Sequence, residues 1–206
     1  NLTMTILLLA RHAEPDWGRI QPGWSNPSGE LDPSLSVEGR EQTRKLGHWL
    51  ATTCDVDVIY SSTLRRARET AELLNQQLNV ELYSLDELRE WPHAEPMPNI
   101  LANLHAVNHL DAPFNPNPRH TFDPRYQEFA ERIHATLNRI ISTYAPKSIL
   151  VVAQGHVIGQ VVRTFTDHHH MLYDSDFTGI SKFTWEEDRW FINYINRIDH
   201  LYYDYT

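Results

Sequence analysis

The stretch ILVVAQGHVIG, Ile149 to Gly159, decides the fold. Ile149 to Ala153 are apolar without alternation, a pattern that suits a strand covered on both faces, as in a parallel sheet between helical layers. The run stops at Gln154, Gly155 and His156, and apolar residues then resume at helical spacing in VIGQVVRTF. Strand, polar corner and helix in succession form the repeating unit of an α/β domain. Ligands of such sheets bind outside the carboxyl ends of the strands, so the polar corner is also where function is expected.

The same alternation runs through the rest of the chain. TILLLA, Thr5 to Ala10, reads as a second fully covered strand, and VDVIYSS as a third. A loop rich in proline and glycine follows from Pro15 to Pro33. The segment SVEGREQTRKLGHWLA reads as a helix with Ser36 as N-cap and Leu46, Trp49 and Leu50 on one face. LRRARETAELLNQQL repeats the pattern, with Leu64, Ala67, Ala71, Leu74 and Leu78 as its buried stripe. Tyr126, Phe129, Ala130, Ile133, Leu137, Ile140 and Tyr144 recur at steps of three and four and predict a long amphipathic helix. GISKFTWEEDRWFINYIN predicts an antiparallel hairpin turning at Glu186 to Asp188. Six of the twelve prolines fall among residues 92 to 118, which marks an insertion at about 91–123 with one short helix around Ile100 to His109. The expected architecture is one domain over residues 1–206, a three-layer α/β/α sandwich on a mostly parallel sheet.

Composition narrows the function classes. With 41% hydrophobic and 22% charged residues in 206, the chain can bury a core of its own. A net charge of -9 argues against nucleic acid or an anionic membrane as partner, because both recruit a positive field. Cys54 is the only cysteine, so neither an intrachain disulfide nor a thiolate metal cage is expected, and a cytoplasmic setting follows. Cys54 itself reads as a buried small hydrophobe. The run DHHH, Asp167 to His170, reads as a solvated loop, since consecutive histidines cannot all converge on one ion.

Three strands end in groups that suit a phosphate dianion. The first ends in Arg11 and His12, the second of them in chain order in Ser61 and Ser62 with Arg65 and Arg66 beyond, and the quoted one in Gln154, Gly155 and His156. Guanidinium forks bind phosphate oxygens in pairs, and helix N-termini add partial positive charge.

Taken in order, LLLARHAEPDWG, LSVEGREQTRKLGHWLA, VIYSSTLRRARETAELL, ELREW, ILVVAQGHVIG and INRIDHL resemble the histidine phosphatase superfamily, also called the phosphoglycerate mutase-like family. The resemblance spans nearly the whole chain apart from the proline-rich insertion. It implies a phosphatase acting on a small phosphorylated substrate through a phosphohistidine at His12, with no metal or other cofactor. Arg11 and Arg66 match the family's phosphate clamps, Arg66 through a pattern that also takes in Ser62, Leu64, Ala67, Thr70 and Ala71. Glu90 matches the general acid, with Glu87 as the alternative, and that role calls for a raised carboxyl pKa. Trp17, Gln154, Gly155 and His156 fall at substrate-contacting places.

Two positions depart from the family's pattern. Gln154 stands where the family carries a second histidine, and Gly18 stands where relatives usually carry asparagine. A charged donor is worth roughly 1.5–3 kcal/mol against about 1 for a neutral one, so Gln154 implies a rate lower by about ten-fold to a few hundred-fold. His156 would have to move in to compensate, but two residues further on it is expected to enter the following helix and point along the pocket wall. The alternatives to a working phosphatase are a weakened homologue that binds a phosphorylated ligand and, third, a phosphoglycerate-type mutase. Oligomeric state has no signature in the sequence. Trp24 and Trp91 read either as pocket-mouth rings or as packing residues.

Overall fold

The computed structural model describes residues 4–18, 31–91, 124–144, 147–166 and 173–203. Six strands form one sheet: β1 (Thr5–Arg11), β2 (Val58–Ser62), β3 (Glu81–Leu85), β4 (Ser148–Ala153), β5 (Ile180–Glu186) and β6 (Arg189–Arg197). Their order is β3-β2-β4-β1-β5-β6. The first four in that order run parallel, and β5 and β6 close one edge antiparallel. β4 lies between β2 and β1, and all six of its residues are buried, as its unbroken apolar run requires.

Alternate residues of the strands feed two cores. Leu8 and Ala10 face α1 (Val37–Thr53) and α2 (Arg65–Leu78) through Leu46, Leu50, Ala67, Ala71 and Leu74. Leu7 and Leu9 face α3 (Pro124–Tyr144) and α4 (Gly155–Thr166) through Phe129, Ile133, Leu137, Val157 and Val161. This is the expected three-layer sandwich, and it carries the carboxyl ends of β1, β2 and β4 to one rim.

Local chemistry fixes the helix starts that flank this rim. Ser36 caps α1, its Oγ accepting from Gly39 N at 2.9 Å and donating to Glu14 Oε1 at 3.0 Å. Gly39 is required here, because a Cβ would come within 2.1 Å of the Glu14 carbonyl oxygen. α1 is thereby pressed against the loop that leaves β1. The residue before α2, Leu64, has no capping side chain, and Asp32 serves instead, accepting from Arg65 N at 2.7 and 2.9 Å.

The β5–β6 hairpin turns on Glu187 and Asp188, both at positive φ (51° and 58°), the handedness that matches strand twist. One expectation changes and one alternative closes. Cys54 is the C-cap of α1 and only half-buried, because its backbone, not its side chain, closes the helix by donating to Leu50 O. Trp91 belongs to the core, 4% exposed and edge-on to Phe129 at 5.7 Å, so it packs and does not line a pocket mouth. Trp24, the short helix around 100–109 and the run Asp167 to His170 lie outside the described residues. Among the described residues no helix is long and apolar enough to cross a membrane.

Candidate active site

His12 follows the last residue of β1 and is 4% exposed. Its Nδ1 lies 2.8 Å from the Ala13 carbonyl oxygen, which can only accept, so Nδ1 carries the proton. Its Nε2 lies 3.2 Å from Arg66 Nε, which can only donate, so Nε2 presents a lone pair. Two hydrogen bonds therefore select one tautomer of a neutral imidazole, with a nucleophilic nitrogen aimed at a guanidinium.

Arg66 is 2% exposed in the first turn of α2. Asp32 Oδ1 stands 3.6 Å from its guanidinium, and the Trp17 ring centre 5.8 Å from its Cζ. Asp32 thus caps α2 and holds the charge of Arg66 at once. Thr70 ties the two elements together, donating to Arg66 O at 2.7 Å and accepting from Ala13 N at 3.0 Å. Trp17 is 43% exposed beside this guanidinium, at the open side of the site. Next to it Gly18 is exposed, and among the described residues an added Cβ would meet only Asp16 Oδ1, at 3.7 Å.

Arg11 is held from the other side. Its Nη1 donates to the Ser175 carbonyl oxygen and lies 3.6 Å from Asp174 Oδ1. Its Cζ sits 4.4 Å from the Phe177 ring centre, and the same ring is 5.7 Å from that of His12. Gly155 packs on this guanidinium, where an added Cβ would lie 3.7 Å from Arg11 Cζ. Thr178, at φ 59°, donates its N–H to the carbonyls of Arg11 (3.2 Å) and His12 (3.4 Å) and so locks the strand end. A β-branched residue in left-handed geometry is uncommon and costs strain, which the surrounding bonds sustain. Behind Thr178, the His200 Nε2 lies 3.1 Å from its hydroxyl. Burial pushes the His200 imidazole down to about 4, and its Nδ1 meets no acceptor among the described residues.

Glu90 lies beyond β3 and is 6% exposed. Oε1 accepts from Trp91 N at 2.9 Å, and Oε2 accepts from His156 N at 3.1 Å, at the N-terminal end of α4. His156 Nδ1 lies 3.2 Å from the same Oε2, an ion-pair distance not yet aligned as a hydrogen bond. The raised carboxyl pKa expected from the sequence is not what this environment produces. Burial pushes it up, but the His156 imidazole and the two backbone N–H donors outweigh burial and hold it below the ordinary carboxylate range. Glu87, the alternative, is on the surface with Arg139 at 3.0 Å.

Gln154 closes β4 and is 1% exposed, and neither its Oε1 nor its Nε2 has a hydrogen-bond partner among the described residues. Arg65 and Arg68 are surface groups paired with Glu69 (2.7 Å) and Glu72 (3.6 Å), which leaves Arg66 as the inward arginine of α2. Among the described residues no group of three or more His, Cys, Asp or Glu side chains is placed to hold a metal ion.

The structure thus gathers Arg11, His12, Arg66, Glu90, Gln154, Gly155, His156 and Trp17 at one rim. Sequence reading missed Asp32, Phe177, Thr178 and His200. His200 falls inside INRIDHL, but nothing in that motif announces a link to residue 12.

Comparison with known proteins agrees with this geometry. The model of the histidine phosphatase superfamily (branch 1) matches residues 7–198. A Bacillus subtilis protein named uncharacterized phosphatase PhoE is 26% identical over 96% of this chain and 97% of its own length. Phosphoserine phosphatase 1 of Hydrogenobacter thermophilus is 39% identical over a shorter stretch, 44% of this chain and 40% of that protein. The structure of Bacillus stearothermophilus YhfR superposes with a TM-score of 0.69 at 25% identity, covering 96% of this chain and 99% of that one. The chain belongs to the histidine phosphatase superfamily, branch 1.

Proposed function

We propose that the chain is a phosphatase that hydrolyses a small phosphomonoester through a covalent phosphohistidine at His12. The observation that carries this reading is the tautomer of His12, with a proton held at Nδ1 and a lone pair at Nε2 against Arg66. Attack by Nε2 on phosphorus forms the P–N bond while the ester P–O bond breaks, and water then cleaves P–N to release phosphate. A loose phosphoryl transition state asks for positioning and charge more than for covalent help, and Arg66, Arg11 and the Gln154 amide are the donors at hand. The leaving oxygen draws its proton from the side where Glu90 and His156 are paired. Relatives named as phosphatases support the reaction class.

The test is phosphate release from a panel of phosphomonoesters, together with acid-labile ³²P labelling. Wild type should label and turn over, and His12→Asn should lose both by about 10⁴-fold or more. An unlabelled wild type inactive on the whole panel overturns the reading. A second reading, a phosphate-ligand binder with little turnover, is favoured by Gln154 in place of a second histidine. Turnover by the chain as it stands at the rate of its Gln154→His variant excludes it.

A further inference from the structure

We propose that Gln154 makes this site select its phosphomonoester as the monoanion, with Oε1 accepting the P–OH hydrogen and Nε2 donating to a neighbouring P–O⁻. The inference rests on the phosphohistidine reading above and specifies the protonation state of the group that His12 attacks. Three observations carry it.

First, the Gln154 amide is buried beside the nucleophile and bonds nothing in the described fold. The carbonyl oxygen of the preceding Ala153 accepts from His12 N at 2.9 Å, which sets residue 154 next to the imidazole. Gln154 is 1% exposed, and both of its amide atoms lack a hydrogen-bond partner among the described residues. A residue in front of a helix can cap it with a side-chain oxygen, yet the His156 N–H of α4 goes to Glu90 Oε2 at 3.1 Å. Helix capping therefore does not account for the amide.

Second, a buried donor and a buried acceptor on one amide call for a ligand that offers both. The dianion has acceptor oxygens only, so it bonds Nε2 but sets negative charge against the lone pairs of Oε1. The monoanion, with one P–OH, matches both atoms across two adjacent oxygens. A protonated imidazole at position 154, by contrast, has donors only.

Third, the clamp does not impose the dianion. Asp32 Oδ1 lies 3.6 Å from the Arg66 guanidinium and Asp174 Oδ1 3.6 Å from that of Arg11. Glu90, from beyond β3, and Asp176, from the loop before β5, also act on Arg11. The other titratable groups of the rim are His12 at the end of β1 and His156 on α4, while Arg132 on α3 acts on Glu90. With a carboxylate beside each guanidinium, the pull on a second negative charge is reduced, and residue 154 is left to choose between the two forms. The P–OH proton stays on the transferring group, and the leaving oxygen is served from the Glu90 side as before.

The experiment measures by calorimetry the affinities of inorganic phosphate, which loses its second proton near neutrality, and of sulfate, a dianion throughout, from about pH 6 to about pH 9. Sulfate reports the titration of the protein's own groups, His12 and His156 among them, so the ratio of phosphate to sulfate affinity isolates the proton on the ligand. In wild type the ratio should fall by about ten-fold per pH unit once phosphate is a dianion, and by at least about 30-fold over the range. Gln154→Met, which keeps the volume, and Gln154→His should each cut that change to less than about three-fold. An amide that bonds only a buried water would leave the slope unchanged when it is removed. A wild-type ratio that is flat or rises with pH overturns the inference, and so does a slope that survives in Gln154→Met. Labelling of His12 tests the underlying reading separately. A labelled wild type with a flat ratio overturns the monoanion alone, and a wild type that neither labels nor binds phosphate overturns both.

Discussion

The ends of β1 and β4 lie side by side, Arg11 paired in register with Ala153, yet they are built differently. At the β1 end both imidazole nitrogens of His12 are engaged, and Thr70, Asp32 and Thr178 brace the groups around it. At the β4 end Gln154 is equally buried, but its amide meets no partner among the described residues. Buried polar groups are expensive unless bonded. The first rim is therefore held by bonds within the described residues, whereas the buried amide at the second finds none there. The charged groups divide the same way, with His12, Arg11 and Arg66 around the end of β1 and the Glu90–His156 pair beside the end of β4.

The sharpest way to break this contrast is at Arg66. Arg66→Lys keeps the charge but loses the fork that reaches both Nε2 and a phosphate oxygen, and kcat/KM should fall by about 10²–10³-fold. Steady-state kinetics on an accepted phosphomonoester measures it, and retention of activity within about three-fold would mean that the β1 rim is not preorganised by its guanidinium.

The next effect is on stability. His200 braces Thr178 and through it the backbone of Arg11 and His12, and it takes a proton only at about 4 in the fold against 6.5 in the open chain. The unfolded state binds the extra proton, so this contribution is complete above 6.5 and is lost as pH falls toward 4. Urea unfolding of wild type should lose about 3 kcal/mol from this group across that window, a slope that His200→Gln should remove. Equal pH slopes in the two proteins would detach His200 from the β1 rim.

At the β4 rim, Gln154→His should raise kcat by about ten-fold to a few hundred-fold, since an ionised donor replaces a neutral one. A change under about two-fold would show that His156 already supplies what residue 154 lacks.

The smallest effects test the contrast itself. Thr70→Val strands the Ala13 N–H and should cost about 1–3 kcal/mol, whereas Gln154→Met removes an unpartnered amide and should be neutral or stabilising by about 1 kcal/mol. Thermal denaturation of the pair reads the difference, and destabilisation of similar size in both would erase the distinction between the two rims.

Much of this was legible before any coordinates. The unbroken apolar runs of β1 and β4, the stripe of Leu64, Ala67, Ala71 and Leu74, and Ser36 as the cap of α1 all follow from local pattern, because burial on both faces and helix capping are short-range demands. Arg11, His12, Arg66, Gln154, Gly155 and His156 were found at the ends of strands, whereas Glu90 and Trp17 came from the resemblance to the family. Other features had no local signal. Asp32 precedes a proline in a loop, and only the fold carries it to the N–H of Arg65 and the guanidinium of Arg66. Cys54 was misplaced, and the choice between pocket mouth and packing for Trp91 stayed open, because exposure at a helix end and burial beyond β3 depend on what packs over them.

The charge state of Glu90 shows the same boundary. Read alone, a carboxylic acid due for burial should be pushed up and hold its proton, and burial does push it that way. What reverses the sign is the approach of His156 and two backbone N–H groups from distant parts of the chain. By itself the sequence determined the layered fold, because periodicity and strand ends are written in neighbouring positions, while the order of its motifs carried the resemblance to the family and the remaining rim residues. Only the tertiary structure decided which nitrogen of His12 carries the proton and that the neighbours of Glu90 hold its carboxyl below the ordinary range, because hydrogen bonds and electric fields depend on distances across the fold and not along the chain.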